Sequence, residues 1–450
     1  MSTAPEMHDV QGLVARGYGN LLAARFVLLG IDDPSAAQGW LGTVATAVTR
    51  ADERPQSRAV HVALTSSGLS KLGLDAATVN LFSNEFADGM TALHRSRNLG
   101  DVGINAPEHW DWGGRRTPEV DAMLLLYAED DAGLDALERE HAGLRVLDRL
   151  GTSNLDEHEP FGFRDGISQP LIEGLAKKGP PETTVRFGEF VLGYPNEYGR
   201  YTDKPLLDAR PDLARNGSYL VFRQLRQDVR AFWSFLDQAT KRPDGSSDPD
   251  RRLRLAAKMV GRWPSGAPLA LAPDEDDPLL ANANDFAYHR YDRTGARCPV
   301  GAHIRRANPR DSLDPKPGTA KSWEINRRHR ILRRGREYGS GVTPDEALRQ
   351  DAARADDEHG LHFICLNGNI ARQFEFVNNT WLNSPKFAGL YDDSDPVTAP
   401  SQPYGGTFTV QSDTVRERVT DVPRFVSVKG GAYFFLPGIA AMRTLAGVGA

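Results

Sequence analysis

Cysteine is scarce in this chain of 450 residues, which contains only Cys298 and Cys365. Two isolated cysteines do not make a disulfide framework, and neither lies in a C-x-x-C pair of the kind that binds zinc. This scarcity is compatible with a reducing compartment such as the cytosol.

Long hydrophobic runs are also lacking. The longest, residues 21–31, is interrupted by Arg25 and is too short to span a bilayer. The N-terminus MSTAPEMHDV has no basic region, apolar region or twin-arginine signal of an exported protein. We therefore expect a cytoplasmic protein without a membrane partner, and export by another route stays open.

An excess of positive charge is missing too, because the formal net charge is -6. Nucleic-acid binding selects for clustered Lys and Arg, so the composition gives no reason to expect a nucleic-acid partner. The signatures of zinc proteases, phosphate-binding loops and serine hydrolases are absent. What is present is a chain long enough to bury a large core and to enclose a cofactor.

The first 150 residues alternate between short apolar strands and helical patterns. Strands are predicted over residues 24–31, 59–64, 122–127 and 144–150. Asp33 and Pro34 suit the cap and first turn of a helix, another helix begins near Ser67, and a third covers residues 133–142. This order fits a ferredoxin-like α+β sheet or a small doubly wound sheet.

The rest of the chain is less regular, and residues 151–217 and 263–299 are rich in loop-forming residues. Further strands are predicted over residues 218–222, 361–366 and 432–436, and further helices over 226–240, 250–261 and from Ile439 onwards. The charged runs 327–336 and 392–395 are typical of solvated loops. The second half is compatible with the architecture of the first, although no sequence repeat proves it.

The segment GFRDG places Asp165 between glycines and after an aromatic residue. Glycine lets a loop approach a ligand closely, and a carboxylate beside an apolar wall is suited to acid/base chemistry. Taken alone, the segment is more typical of an ordinary Asp-Gly turn.

The segment CPVGAHIRRANPR carries His303 together with Arg305, Arg306 and Arg310. Haem iron accepts a neutral imidazole, and arginine pairs well with carboxylates such as the haem propionates. Taken alone, a buried structural histidine beside a basic surface patch is the commoner explanation.

The segment ILRRGREYG delivers Arg333 after an apolar pair and before a turn that contains glycine. An arginine that faces a cavity can stabilise negative charge developing on a peroxide. Taken alone, such a run is more often a basic surface strand.

Together and in this chain order, the three segments resemble the dye-decolorising peroxidase family. GFRDG resembles its G-x-x-D-G signature, GAHIRRANPR its proximal-histidine motif and ILRRGREYG its distal-arginine motif. Segments at both ends of the chain are similar to the family as well, and the long form resembles the larger fungal and actinobacterial members. The resemblance implies an α+β fold of two ferredoxin-like halves with antiparallel sheets and peripheral helices, over residues 1–160 and 161–450. Haem b would be held mainly in the second half.

The resemblance also implies roles for individual residues. His303 would be the axial ligand of the haem iron, and Asp165 the distal acid/base that moves a proton between the oxygens of hydrogen peroxide. Arg333 would stabilise the charge that develops during peroxide cleavage. Some compact relatives have an Asn two residues after this arginine, but this chain has Gly335, so no second amide donor is expected there.

Contacts to haem b are expected from Gly166, and Arg305 and Arg310 are the expected partners of its propionates. Tyr338 and Trp381 resemble the exposed residues from which larger members relay electrons to bulky dyes.

An acidic partner on the other ring nitrogen of His303 would strengthen its donation to iron. The candidates for this partner in the sequence are Glu358 and Glu375.

The implied activity is the reduction of hydrogen peroxide with oxidation of dyes, phenols or other one-electron donors. One alternative is a haem-binding protein without catalysis, which carries haem or releases its iron. Another is a haem-free α+β binding protein. The presence of both Asp165 and Arg333 favours a peroxidase, since a carrier needs neither. The physiological donor, Mn(II) oxidation and the oligomeric state stay open.

Overall fold

The computed structural model describes residues 4–175, 180, 182–202, 205, 212–349, 353–399 and 405–447. Its strands are β1 (Ala23–Gly30), β2 (Arg58–Leu64), β3 (Ala122–Ala128), β4 (Arg145–Gly151), β5 (Leu171–Ile172), β6 (Thr184–Val185), β7 (Ser218–Gln227), β8 (Leu332–Arg333), β9 (Arg336–Tyr338), β10 (Gly360–Asn367), β11 (Gly406–Val410), β12 (Glu417–Val422) and β13 (Val426–Leu436).

The α-helices are α1 (Pro34–Val44), α2 (Ser66–Lys71), α3 (Ala76–Val79), α4 (Asn84–Asp88), α5 (Leu93–Leu99), α6 (Asp131–Glu140), α7 (Val229–Ala239), α8 (Pro249–Val260), α9 (Tyr288–Tyr291), α10 (His303–Ala307), α11 (Ala320–Arg327), α12 (Pro344–Leu348) and α13 (Ile439–Leu445). Short 3-10 helices cover Gly103–Asn105, Pro107–His109, Phe187–Glu189, Pro278–Leu280, Ala353–Asp356 and Phe387–Gly389, and π-helical turns cover Ala371–Glu375 and Val377–Leu382. None of the helices in the described residues is long and apolar enough to cross a membrane.

The first half forms an antiparallel sheet in the strand order β4-β1-β3-β2. In this sheet Phe26 of β1 pairs with Leu125 of β3 on one side and with Leu150 of β4 on the other. Helix α1 begins where predicted, because the Asp33 carboxylate accepts the Ser35 N–H at 2.8 Å and Pro34 occupies the first turn. Strand β3 is buried along its whole length, so this half has a closed apolar core.

The second half repeats the same order with its own strands, β13-β7-β10-β8. Within the described residues, the two halves join edge to edge into one sheet of nine strands, through Phe435 of β13 and Leu64 of β2. All the pairs described in this sheet are antiparallel, which confirms the α+β prediction and excludes the doubly wound alternative. The boundary at residue 160 stays a prediction.

Strand β7 continues to Gln227, although a helix was predicted to begin at residue 226. The extension carries Arg223, Gln224 and Gln227, all of which are buried. Polar residues interrupt the apolar pattern by which a buried strand is recognised, so this part of the strand was not predicted from the sequence. Arg223 and Gln227 face an internal cavity, which explains why a central strand carries them.

Candidate functional site

A cavity of about 300 Å³ is bounded by strands β7, β10 and β13 and by helix α10 of the second half, and Leu99, Gly100, Asp101 and Asn105 of the first half also line it. Ligand pockets are mostly apolar, with a few placed polar groups. The wall of this cavity follows that pattern, and its apolar side chains include Phe161, Phe163, Leu225, Ile304, Ile331, Leu361, Phe363, Phe374, Val377, Val426 and Val428. The three residues singled out by the sequence motifs, Asp165, His303 and Arg333, all lie on this wall.

His303 is the first residue of α10, and its ring is oriented by a carboxylate. Its Nδ1 lies 2.9 Å from Oδ2 of Asp395. Burial alone would lower the pKa of His303, but the Asp395 carboxylate outweighs it and the net pKa is raised. A proton held on Nδ1 by Asp395 leaves Nε2 as the ring nitrogen available to a ligand in the cavity.

Asp395 corrects the expectation that Glu358 or Glu375 would hold His303. The Asp395 side chain is fully buried, and its Oδ1 accepts the N–H groups of Val397 at 3.0 Å and Thr398 at 2.8 Å. Burial would raise the pKa of Asp395, but His303 lowers it and the net pKa lies below its usual value.

The prediction that residues 392–395 are a solvated loop was also wrong, because Asp393 and Asp395 are buried. The missed signal is the run Asp395-Pro-Val-Thr398, in which an Asp accepts the N–H groups two and three residues later, as Asx turns do.

The two glutamates suggested by the sequence have other partners. Glu375 accepts a hydrogen bond from the Tyr433 hydroxyl at 2.8 Å and one from Arg95 Nη1 at 3.0 Å. Glu358 is exposed, and its carboxylate lies 3.5 Å from the Tyr338 hydroxyl. Neither carboxylate is therefore free to orient His303.

Asp165 and Arg333 meet across the cavity wall, where Arg333 Nη1 donates to Asp165 Oδ1 at 2.6 Å. Strand β8 delivers Arg333, which pairs with Cys365 of β10. The Asp165 side chain is 44% accessible although it lies deep in the protein, because its accessible surface faces the cavity. Burial would raise the pKa of Asp165, but Arg333 and the Gly166 N–H outweigh it and hold that pKa below its usual value.

Glycines shape both loops at this end of the cavity. Gly166 has φ of +79°, and a Cβ there would meet nothing within 4 Å, which places the residue beside open space next to Asp165. At Gly335, a Cβ would overlap the carbonyl oxygen of His362 on β10. No side chain fits at position 335 without displacing that strand, so the absence of an Asn there has a steric cause.

Arg305 and Arg310 do not reach the cavity wall, contrary to the expectation that they bind propionates. Arg305 donates to Asp292 Oδ2 at 2.8 Å and to the Cys298 carbonyl at 2.7 Å. Arg310 donates to the Phe286 carbonyl at 3.0 Å and stacks on the Phe286 ring. Both guanidiniums thus brace the loop that precedes α10.

Arg262 and Arg330 line the cavity instead. Burial lowers the pKa of Arg330 to about 9 and that of Arg262 to about 10, and the like charge of neighbouring arginines contributes in the same direction. Arg330 donates to the Ser168 carbonyl at 3.0 Å, and Nη2 of Arg262 has no hydrogen-bond partner among the described residues. Buried cations that find carbonyls rather than carboxylates indicate a site for a ligand with negative charge.

Tyr338 and Trp381 are not surface residues, although the sequence placed them there. Tyr338 is 9% exposed and stacks on His362 at 4.6 Å between ring centroids. Trp381 is 5% exposed and packs against Phe376 and Phe387. Both rings are therefore packed inside the protein rather than exposed on its surface.

No group of three or more His, Cys, Asp or Glu side chains that could hold a metal ion is found in the described parts of the chain. The one metal ligand expected from the sequence, His303, lies on the cavity wall.

Known proteins are similar to this chain over nearly its whole length. A dye-decolorizing peroxidase of Mycena epipterygia is 31% identical over 475 residues, covering 94% of this chain and 83% of that protein. The multifunctional dye peroxidase DyP2 of Amycolatopsis sp. is 30% identical and covers 95% of this chain and 91% of its own.

The crystal structure of a DyP-type peroxidase from Auricularia auricula-judae superimposes with a TM-score of 0.82 at 27% identity, over 99% of this chain and 100% of that one. No profile of a protein family matches the chain.

Proposed function

This chain belongs to the dye-decolorising peroxidase family and is a haem peroxidase, and we propose that its cavity would hold haem b, with the imidazole of His303 as the ligand of the iron. The cavity offers what haem b requires: an oriented imidazole, an apolar wall, and buried cations for two carboxylates. Arg330 and Arg262 are the proposed propionate partners, in place of Arg305 and Arg310. When bound, the haem supplies a redox-active iron that exchanges electrons with peroxide and with the reductant.

Asp165 is the proposed acid/base. Because its pKa is held low, it is a carboxylate at neutral pH and is ready to accept a proton from one oxygen of hydrogen peroxide. It returns that proton to the departing oxygen. With two electrons and two further protons taken up, hydrogen peroxide leaves as two water molecules, and two donor molecules lose one electron each.

Arg333 has two proposed tasks. It fixes the Asp165 carboxylate through the 2.6 Å hydrogen bond, and its charge stabilises the negative charge that develops on the departing oxygen. The observation that carries the proposal is this ion pair on the wall of the cavity that also contains His303. A protein that only carries haem needs no such pair.

The proposed substrates are hydrogen peroxide and one-electron donors such as dyes or phenols. Since Tyr338 and Trp381 are buried, donors small enough to enter the cavity are expected to react faster than bulky dyes.

The test is an absorption spectrum of the purified protein before and after peroxide, for the wild type and for His303→Ala. We expect a haem spectrum in the wild type that responds to peroxide, with turnover of a phenol. A wild-type haem spectrum in His303→Ala would refute the ligand assignment. Haem binding without peroxide turnover in the wild type would favour the non-catalytic alternative.

A further inference from the structure

The carboxylate of Glu159 lies at the centre of the loop that precedes Asp165. Its Oε1 accepts the Phe163 N–H at 2.9 Å, and its Oε2 accepts the Phe161 N–H at 3.0 Å and Nε2 of Gln227 at 2.6 Å. All three partners are donors and none of them is charged. Only an acceptor with two equivalent oxygens satisfies them together, which is the property of a carboxylate.

The main chain of the same loop closes on itself around this carboxylate. The Glu159 N–H donates to the Phe163 carbonyl at 2.9 Å, and the Gly162 N–H donates to the Glu159 carbonyl at 2.7 Å. Gly162 has φ of +94°, a backbone angle that favours glycine. The Asp165 N–H then bonds the Glu157 carbonyl at 2.9 Å, so the position of Asp165 depends on the shape of the whole loop.

Gln227 ties this loop to the sheet, because it lies at the end of β7 and its N–H donates to the His359 carbonyl at 2.7 Å. The sheet also carries Arg333 on β8. The bond between Glu159 and Gln227 therefore links the loop that bears Asp165 to the sheet that bears Arg333.

This arrangement costs stability locally. Burial raises the pKa of Glu159 to about 7, although Gln227 and the two N–H groups lower it, and the charge of Asp165 raises it further. A buried carboxylate without a cation is expensive. The geometric requirement at Asp165 explains why the cost is tolerated.

We propose that Glu159 is a positioning residue for Asp165, which holds the loop in the shape that brings the Asp165 carboxylate to Arg333. The inference rests on the proposed role of Asp165. Glu159 also lines the cavity, but its proposed role acts through Asp165 and not through contact with peroxide or haem.

The test is a double-mutant cycle on the haem-loaded protein, with stopped-flow measurement of the spectral change that follows peroxide addition. Glu159→Gln presents an NH₂ group to a site filled with donors and leaves one of them unpaired. We expect the second-order rate constant with peroxide to fall about 10–100-fold, because small displacements of a catalytic group have effects of this size. In the Asp165→Ala background the same change is expected to alter the rate less than about twofold.

The control is Glu189→Gln. Glu189 is also a buried carboxylate that accepts a main-chain N–H, from Glu197 at 2.8 Å, but it pairs with Arg372 and does not line the cavity that the structure describes. The rate constant of the Glu189→Gln variant with peroxide is expected to equal that of the wild type. If Glu159→Gln fails to retain haem, Gln227→Leu serves as the second variant, with a smaller loss that also vanishes in the Asp165→Ala background.

Equal fold-losses from Glu159→Gln in both backgrounds would overturn the proposal, because the effect would then not act through Asp165. No loss in the wild-type background would overturn it as well. If Asp165→Ala alone leaves the rate unchanged, the acid/base role fails and the positioning role fails with it, and that single variant identifies this case.

Discussion

The contrast between His61 in the first half and His303 in the second shows what separates a core from a site. His61 on β2 stacks on Tyr18, and its Nε2 lies 3.0 Å from the Tyr18 hydroxyl. Burial lowers the pKa of His61 to about 3, so it is neutral. His303 is oriented by Asp395 and faces a cavity. Aromatic packing thus surrounds the first histidine, and a cavity with charged residues lies beside the second.

The difference lies in the side chains that the buried strands carry. β3 in the first half reads AMLLLYA and is buried throughout, whereas β7 in the second half continues through Arg223 and Gln227 into the cavity wall. The fold provides the frame, and the polar residues on its central strands mark the half in which the chemistry is proposed.

The largest expected effect separates the two histidines. His303→Ala removes the proposed iron ligand, and haem retention should fall by more than the roughly 10–100-fold typical of losing a ligand's hydrogen-bond partner. His61→Phe keeps the aromatic packing around Tyr18 and should leave haem retention unchanged. Haem titration of both variants measures the difference. Equal losses of haem retention would contradict the proposal that His303, and not His61, binds the iron.

The next expected effect is on the free energy of unfolding and not on the reaction with peroxide. Leu124 of β3 is 2% exposed, and Leu124→Ala should reduce the free energy of unfolding by about 2–5 kcal/mol. The reaction with peroxide should keep its rate, because Leu124 itself does not line the cavity that the structure describes. Denaturant unfolding gives the stability, and Leu93→Ala on the exposed face of α5 is the control, with a change within about 0.5 kcal/mol.

A smaller effect sharpens the account of the charged cavity. Asp165 must be deprotonated to accept a proton, and Arg333 holds the pKa of Asp165 below its usual value. The rate constant of the wild type with peroxide should therefore stay constant as the pH is lowered, until that pKa is reached. In Arg333→Leu the strongest opposition to burial is lost and the Gly166 N–H remains, so the pKa of Asp165 should rise by about 1–3 units. The acid limb of the rate with peroxide should move to higher pH by the same amount. A limb that stays in place would show that Arg333 does not set this pKa.

Much of the fold could be predicted from the sequence, because alternation of apolar strands and capped helices is a local signal. The strands around Phe26, Val62 and Leu124 follow it closely. The end of β7 was missed because its polar residues break the pattern. Sheet direction was undetermined by that pattern alone, since it depends on which strands pair rather than on any one strand.

The site was predictable only where a motif names the residue. Asp165, His303 and Arg333 lie on one cavity wall as their motifs suggested. Asp395 was missed because its partner is 92 residues away in sequence, and a cluster of acidic residues ordinarily indicates a solvated loop. Arg305 was expected at the cofactor because it is near His303 in sequence, but helix α10 directs it to Asp292.

The role of Asp165 is tested by the second-order rate constant of the haem-loaded Asp165→Ala variant with hydrogen peroxide at neutral pH. If Asp165 is the acid/base of the second-half cavity, the rate constant should fall by about 100-fold or more while the haem spectrum before peroxide stays that of the wild type. A rate constant within about threefold of the wild type would contradict the account.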